Sequence, residues 1–558
     1  NRVPFSARDL DEAVNETNTK IAKEDNLIYL EERTIGNGGG ALWKYVDASS
    51  VTPNTFNIVQ CVGVPSLALA LQSEGSANAE QWGATGDGVS DDTAPIQAFL
   101  SSGISSELVF TKGKTYIAND LTASDIVHIS GYGALIKRGD NQLDSVYVLS
   151  LEGGGSTLRG LNIDGNAANN VGHTNRGEGL RVVGGAIRVD DCDSSNTPVG
   201  GTKVGNCFYV AGDNCVLQDT TSSNGGYAAC RVEGDNCKVV RPNYLDFEEK
   251  GIVFSGAAKS QFTISDVVRM ETNSTDASGQ APILVDPGSD KANQLGRFYG
   301  ENLTGRVTGG IAGSNVCKVV NTKYVTIDGF DFAQTTSNFA GIRFQEYVEY
   351  VTLSNGRTEG ELNFDSFDYK KITLDNVTIG REDKSLPFPT PVQGIYAKEG
   401  VIIKNLSVYG ASSGLIRVEN WVGQTDTDGT PLTEPYININ GITNDSIDAT
   451  IPVFFMAVPA ANVTPGKIVV TGLQVVTGRD TYTQMMAGNS TYDALIQRNQ
   501  SASSWNRDFL AGAIPTSGTW KQNDKAYHAN PVASGNVGWV CLSSGSPGNW
   551  KAFGTISS

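Results

Sequence analysis

The chain has 558 residues, more than an ordinary single domain, so it holds several domains or one elongated repeat architecture. With 42 basic and 60 acidic residues its net charge is −18, which disfavours nucleic acid and anionic lipid as principal partners and leaves an acidic sugar only through local basic patches. There is no apolar run of about 18 residues, so no membrane span is expected.

Glycine is abundant at 64 residues, strong helix formers are sparse, and Val, Ile, Thr, Ser and Asn are plentiful, a β-rich and turn-rich composition. The 8 cysteines form no CxxC pair and no metal-ligand spacing with the 3 histidines, so buried thiols are expected, with no metal and no cofactor. The chain starts at Asn1 without methionine or a signal-peptide pattern, and a further N-terminal part is expected to precede it.

Residues 1–78 read as a head or cap segment. Ser6 is placed to cap a short helix over Phe5 to Val14, and the glycine-rich run Gly36 to Val46 reads as a turn entering a strand. This segment is too small to hold a large core alone and is expected to pack on the next domain or on a copy of itself.

Gln81 to Leu100, QWGATGDGVSDDTAPIQAFL, sets a tight Gly/Asp turn before a helix starting at Asp92 or Thr93. Pro95 suits its first turn, and Ile96, Phe99 and Leu100 make one apolar face.

Beyond it, GDNC at 212–215 returns as GDNC at 234–237, a spacing of 22 residues, each copy followed by alternating apolar residues. The same grammar recurs in YVTIDGFDF (324–332), YVTLSNGRT (350–358), KITLDNVTI (371–379), VIIKNLSV (401–408), YININGIT (436–443) and KIVVTGLQV (467–475). A period in the low twenties, without helices and with Asn, Asp and Gly bends, is what a coiled parallel sheet of about three short strands per turn requires. A β-sandwich is the alternative, and a propeller is disfavoured by its longer repeat. In the coil Cys215 and Cys237 stack as small apolar residues rather than pairing. The helix at 93–100 then serves as a lid over the open first turn.

WGATGDGVSDDTAPIQAFL, together with LNIDGNAANN (161–170), resembles the first coils of the pectate-lyase-like superfamily of right-handed parallel β-helices. The head segment, acidic chain and C-terminal appendage further resemble bacteriophage tailspikes. The resemblance covers about residues 30–480 and implies an all-β fold: a right-handed parallel β-helix over 79–480 with a small N-terminal cap and a small C-terminal β module. It also implies a homotrimer on the virion tail, joined to the tail or baseplate through an N-terminal part, that binds and cuts a bacterial surface polysaccharide outside the host cell. Lyases, hydrolases and adhesins share this scaffold. Endo-glycoside hydrolysis by paired carboxylates is the expected activity, with β-elimination on uronic acids and non-cleaving adhesion as alternatives.

Residues 481–558 read as a connector, with a helical option over 481–497, and a compact β module holding Trp520, Trp539 and Trp550 as core, as trimer contact or as a sugar platform.

Glycoside hydrolysis needs two carboxyl groups flanking one bond. Carboxylates one coil apart on a common face meet that need, so acidic residues about 22 apart are sought. Tyr227, Glu249 and Glu271 fall on this spacing, with Asp246, Glu248 and Arg269 beside them. Asp246, Glu249 and Glu271 are the catalytic candidates, and Tyr227, Glu248 and Arg269 the substrate-binding ones; solvated turn residues are the plain alternative. His173, Arg176 and Glu178, in a loop longer than the local rhythm needs, are a second binding group and would supply the base and cation of a lyase. Asp286 and Asp290 are a third acidic group whose spacing fits no calcium loop.

Overall fold

The structure is a computed structural model that describes residues 5–72, 75–103, 107–173, 177–198, 205–247, 249–272, 281–308, 314–334, 340–365, 368–385, 387, 391–395, 397–412, 415–419, 436–447, 454–457, 467–477, 493–498, 507–516, 520 and 522–557. The chain divides into two compact units, Asn1–Gly256 with Phe262–Ser274, and Ala257–Gln261 with Thr275–Ser558.

In the first unit a five-stranded sheet runs in the order Phe5–Ala7, Leu27–Leu30, Ala41–Asp47, Leu67–Leu71, Ile58–Gln60. Trp43 and Tyr45 fill its core. The short helix α1 (Leu10–Val14) is capped by Asp9, whose carboxylate accepts the Glu12 N–H at 2.9 Å. Ser6, the expected cap, instead pairs within the sheet opposite Tyr29. Gly39 approaches so closely that an added Cβ would lie 2.7 Å from the Glu80 carbonyl carbon, and the buried Arg33 donates to the carbonyls of Thr55 and Gln81 at 2.8 and 2.7 Å.

Helix α2 (Thr93–Leu100) stands where the sequence places it and buries Pro95, Ile96, Phe99 and Leu100. Trp82, fully buried, meets Phe99 edge-on at 5.1 Å. Asp92 directs the helix through the preceding turn: its carboxylate accepts the N–H groups of Thr85 and Gly86 at 2.5 and 3.1 Å. Burial pushes that carboxyl above its ordinary range.

From residue 121 the unit is a stack of parallel strands, the right-handed parallel β-helix. One sheet carries Leu180, Phe208, Cys230 and Ile252 in register, and the facing strands carry Val189, Leu217, Val239 and Ile264; both columns point into the core. Three bends close each coil, and each is held by a residue in the left-handed region: Ala186, Asp191 and Asn196, then Asn214, Asp219 and Asn224, then Asn236, Arg241 and Asp246. Asn and Asp enter that region at the least cost among residues with a side chain. Their amides also stack, Asn236 donating to Asn214 at 2.8 Å and Asn224 to Asn196 at 3.0 Å. The GDNC repeat is one such bend. A Cβ on Gly234 would lie 2.0 Å from the Gly212 carbonyl oxygen, so only glycine fits. All eight cysteines are buried and free, Cys215 and Cys237 among them.

The second unit is built the same way, with parallel strands bearing Ile283, Cys317, Ile342 and Leu362 on one sheet and Phe298, Val325, Val351, Ile372, Val401 and Ile437 on the other. Here two short strands merge into one long one, such as Leu295–Val307, kinked at a left-handed residue. Those kinks align as Asn302, Gly329, Asn355, Asn376, Asn405, Gly441 and Gly472.

Residues 493–498 form a strand rather than the expected helix, and 481–492 lie outside the described residues. Strands Lys525–His528, Asn536–Ser543 and Asn549–Thr555 pair antiparallel. Ala526, Cys541 and Trp550 form the core of this module, with Trp520 and Trp539 packed on it.

Candidate functional site

Five successive strands of the first unit put their outward side chains in two columns. In one, Asn162, Asp193, Thr221, Asn243 and Arg269 succeed one another in register. The second holds Asp164 and Ser195, then Ser223, Leu245 and Glu271, with Ser223 Oγ donating to Ser195 Oγ at 3.3 Å. The residues between them, Ile163, Ser194, Ser222, Tyr244 and Met270, are buried, which fixes the columns as the solvent face. Strands about 4.8 Å apart make this polar strip roughly 19 Å long. Asn196, Asn224 and Asp246, the third bend of each coil, border it.

Asp193 is the perturbed group of the strip. Thr221 Oγ1 donates to its Oδ2 at 2.6 Å and Ser195 Oγ to its Oδ1 at 2.7 Å. Burial outweighs those donors and raises its carboxyl above the ordinary range, and the nearby Asp164 charge pushes the same way. Asp164 uses Oδ1 to accept the Asn166 N–H at 2.8 Å.

At the other end Arg269 clasps Glu271, Nη2 to Oε2 at 2.7 Å. Asp246 is an exposed bend residue with φ 50°, and its N–H donates to the Glu271 carbonyl at 3.1 Å. Glu271 therefore belongs with Asp246 and Arg269. The expected column of Tyr227, Glu249 and Glu271 holds only for its first pair: Ala228 pairs with Lys250, so Tyr227 precedes Glu249 by one coil, whereas Glu271 pairs with Leu245 on the other side of the bend. The coil there advances by 26 residues rather than 22, because the offset between paired strands grows from 22 to 25 at the bend between Phe254 and Gln261 and to 26 at the bend between Ser265 and Arg269. Glu249 is 6% exposed and Tyr227 half-buried. Glu248 lies outside the described residues.

His173 and Glu178 do not line a groove, being 1% and 0% exposed. His173 packs beside Gly177, and the Glu178 carbonyl accepts Nη2 of the fully buried Arg138 at 2.8 Å. Burial pulls the Arg138 guanidinium down to about 10, opposed by Asp120, Glu178 and Asp164. Arg176 lies outside the described residues. Asp286 and Asp290 hold turns, accepting the N–H groups of Gly288 and Ala292, both at 2.9 Å. Among the described residues no cluster of three or more His, Cys, Asp or Glu is placed to hold a metal ion.

Asp164 and Asp193 do not show at a 22-residue spacing because their coil advances by 31, Asn162 to Asp193. The signal lies in the bends. LNIDGN and DCDSSN both end on a left-handed asparagine, Asn166 and Asn196, which marks each as a strand entering the same bend; that alignment, an offset of 30, puts Asp164 and Asp193 on neighbouring strands but falls one residue short of the observed register of 31.

No protein-family model and no curated protein matches the chain. Among solved structures it is similar to the enzymatically active domain of tailspike protein 2 of bacteriophage CBA120, at 11% identity and a TM-score of 0.39, over 99% of this chain and 80% of that one. It is also similar to tailspike protein gp49 of Acinetobacter baumannii bacteriophage Fri1, a capsular polysaccharide depolymerase, at 10% identity and TM-score 0.42 over 99% and 92% of the two chains. The A-module of the Azotobacter vinelandii mannuronan C-5 epimerase AlgE6 is similar at 16% identity and TM-score 0.36, over 72% of this chain and 100% of that one.

Proposed function

We propose that the chain is a phage tailspike depolymerase that lays a bacterial surface polysaccharide along the polar strip and hydrolyses it within the chain. The observation that carries this reading is the pair Asp164 and Asp193 on the solvent face, one carboxyl raised by burial and held by two hydroxyls, the other on the next strand. The resemblance of the head segment, acidic chain and C-terminal appendage to tailspikes supports the substrate class, and a homotrimer on the virion tail is part of the same reading. One strand spacing and two residues of rise separate the two aspartates by about 8 Å at Cα. Inverting hydrolysis asks for about 6.5–9.5 Å between carboxyls, leaving room for a water.

Asp193, protonated, gives its proton to the glycosidic oxygen as the C1–O bond breaks. Asp164 takes a proton from the water whose oxygen bonds C1 from the opposite face, and net transfer through solvent restores both carboxyls. Thr221 and Ser195 orient the acid, while Asn243, Arg269, Glu271 and Asp246 supply polar contacts along the polymer.

A panel of purified capsular, O-antigen and exopolysaccharides, assayed for new reducing ends and for absorbance near 235 nm, tests this. Reducing ends without that absorbance, abolished by Asp193→Asn and by Asp164→Asn, are expected. Absorbance from unsaturated uronates would make the chain a lyase, and binding without cleavage would make it an adhesin; either overturns the hydrolase reading.

A further inference from the structure

Beside the strip stands an aromatic ring that the hydrolytic pair does not use. The strand His128–Lys137 breaks its ladder with Thr157–Asp164 between Ser130 and Ala134, and Tyr132 lies within that irregularity. Such breaks re-aim side chains out of a sheet. Tyr132 is 55% exposed, yet its position is fixed from beneath by Gly160. A Cβ on Gly160 would fall 2.2 to 2.7 Å from ring carbons of Tyr132, so the ring rests on bare backbone, and Gly160 sits at φ +62°, where a side chain is disfavoured in any case.

Two cations stand beside the residues next to the ring. Arg159, next to Gly160, is 53% exposed and stands 3.7 Å from Asp190, whose same oxygen is held at 2.7 Å by Arg188. Lys112 is exposed, passes its stem along Gly133, and has no ion pair among the described residues. Two loosely engaged cations near a supported aromatic face are unexpected in a chain of net charge −18. Asn162 pairs with Leu135 and Asp193 pairs with Asn162, so this ridge adjoins the Asp193 end of the strip.

We propose that Tyr132, Arg159 and Lys112 form a subsite for a carboxylate-bearing pyranose of the bound polymer, an inference that rests on the depolymerase reading. The C–H face of the sugar stacks on Tyr132, Arg159 takes the carboxylate with its planar fork, and Lys112 adds a second charge. The polymer class is therefore acidic, and the acidic unit sits beside the bond that is cut.

The test uses the full chain and the polymer of the panel that it cleaves, in native form and after chemical reduction of its carboxylates to alcohols. Tyr132→Ala is expected to raise KM about ten-fold with kcat held, Tyr132→Phe to behave as the parent, and carboxylate reduction to cost the parent about ten-fold in KM but Arg159→Gln little. Unchanged melting temperatures separate these effects from misfolding. A parent that cleaves but treats Tyr132→Ala, or the reduced polymer, as it treats the native pair overturns the subsite and leaves the depolymerase standing. A parent that neither binds nor cleaves any polymer of the panel overturns both.

Discussion

Thr221→Val removes one hydroxyl in the middle of the strip and touches the proposed acid directly. In the native chain Thr221 Oγ1 donates to Asp193 Oδ2 at 2.6 Å and lowers a carboxyl that burial raises from 3.8. A hydrogen bond to an ionised group contributes about 1.5–3 kcal/mol. With the Ser195 hydroxyl still donating at 2.7 Å, the low end applies. Without that donor the carboxyl rises further. On the proposed mechanism the active form carries the proton on Asp193, so kcat/KM falls as pH rises through its pKa, and the alkaline limb moves to higher pH in the variant. Stability has a matching sign. A carboxyl raised on folding favours the fold at acid pH, and that contribution is lost as pH rises from 3.8 through the folded value. Thr221→Val deepens the loss, so it destabilises by about 1.5 kcal/mol at pH 7 and by nothing through this route below pH 3.8. Reducing-end assays from pH 4 to 9 and denaturant melts at pH 7 and 3.5 read both effects. An alkaline limb that stays put, with equal destabilisation at both pH values, would refute the role of Asp193 and leave a packing defect.

Trp82→Ala removes the fully buried ring beneath α2; a loss of about 3–5 kcal/mol is expected in the unfolding of the first unit, read as a lower denaturant midpoint. Gly234→Ala sets a methyl 2.0 Å from the Gly212 carbonyl oxygen and should cost about 1–3 kcal/mol or more, whereas Gly288→Ala, with open space around it but a positive φ, should cost about 1 kcal/mol in the same melts. Glu359, 9% exposed, holds Arg357 at 3.2 Å and Arg381 at 2.7 Å and accepts the Gln334 N–H; Glu359→Ala leaves that N–H unpaired while Arg381 keeps the Gln334 carbonyl, and should destabilise the second unit by about 1–3 kcal/mol, whereas Arg357→Ala, whose own side chain is half exposed, should cost under about 1 kcal/mol.

Much of the fold was legible because the bends repeat in a recognisable residue type. Asn214 and Asn236 stand 22 residues apart in GDNC because they occupy the same left-handed bend of successive coils, and the amide of one bonds the next. Helix α2 was legible for a similar reason: its Pro95 and its apolar face declare a start and an orientation. The site was less legible. Inserted residues enter at the bends without disturbing the stack, so Asn162 and Asp193 are neighbours at 31 residues and Leu245 and Glu271 at 26. A fixed period therefore found Tyr227 above Glu249 and misplaced Glu271. The burial of His173 and Glu178 had no local signature: the buried Arg138 donates to the Glu178 carbonyl and Pro198 stands against Gly177, and both are distant in sequence. Ser6 was the expected cap of α1, but pairing of the first strand with Leu27–Leu30 takes it into the sheet, and Asp9 caps the helix instead.

The alternation along the strip separates two instructions written in one stretch of chain. In Thr221-Ser222-Ser223 the middle residue is buried in the core and its neighbours stand on the strip, and in Asp193-Ser194-Ser195 the same division holds, with the Ser195 hydroxyl turned to Asp193. Because the bends fix the strand positions, the outward residues act like type set in a frame: each can be exchanged while its backbone coordinates stay put. On the proposed function, a new polymer is met by rewriting Asn162, Asn243 and Arg269, with Ile163, Tyr244 and Met270 kept, so that changing recognition leaves folding almost untouched.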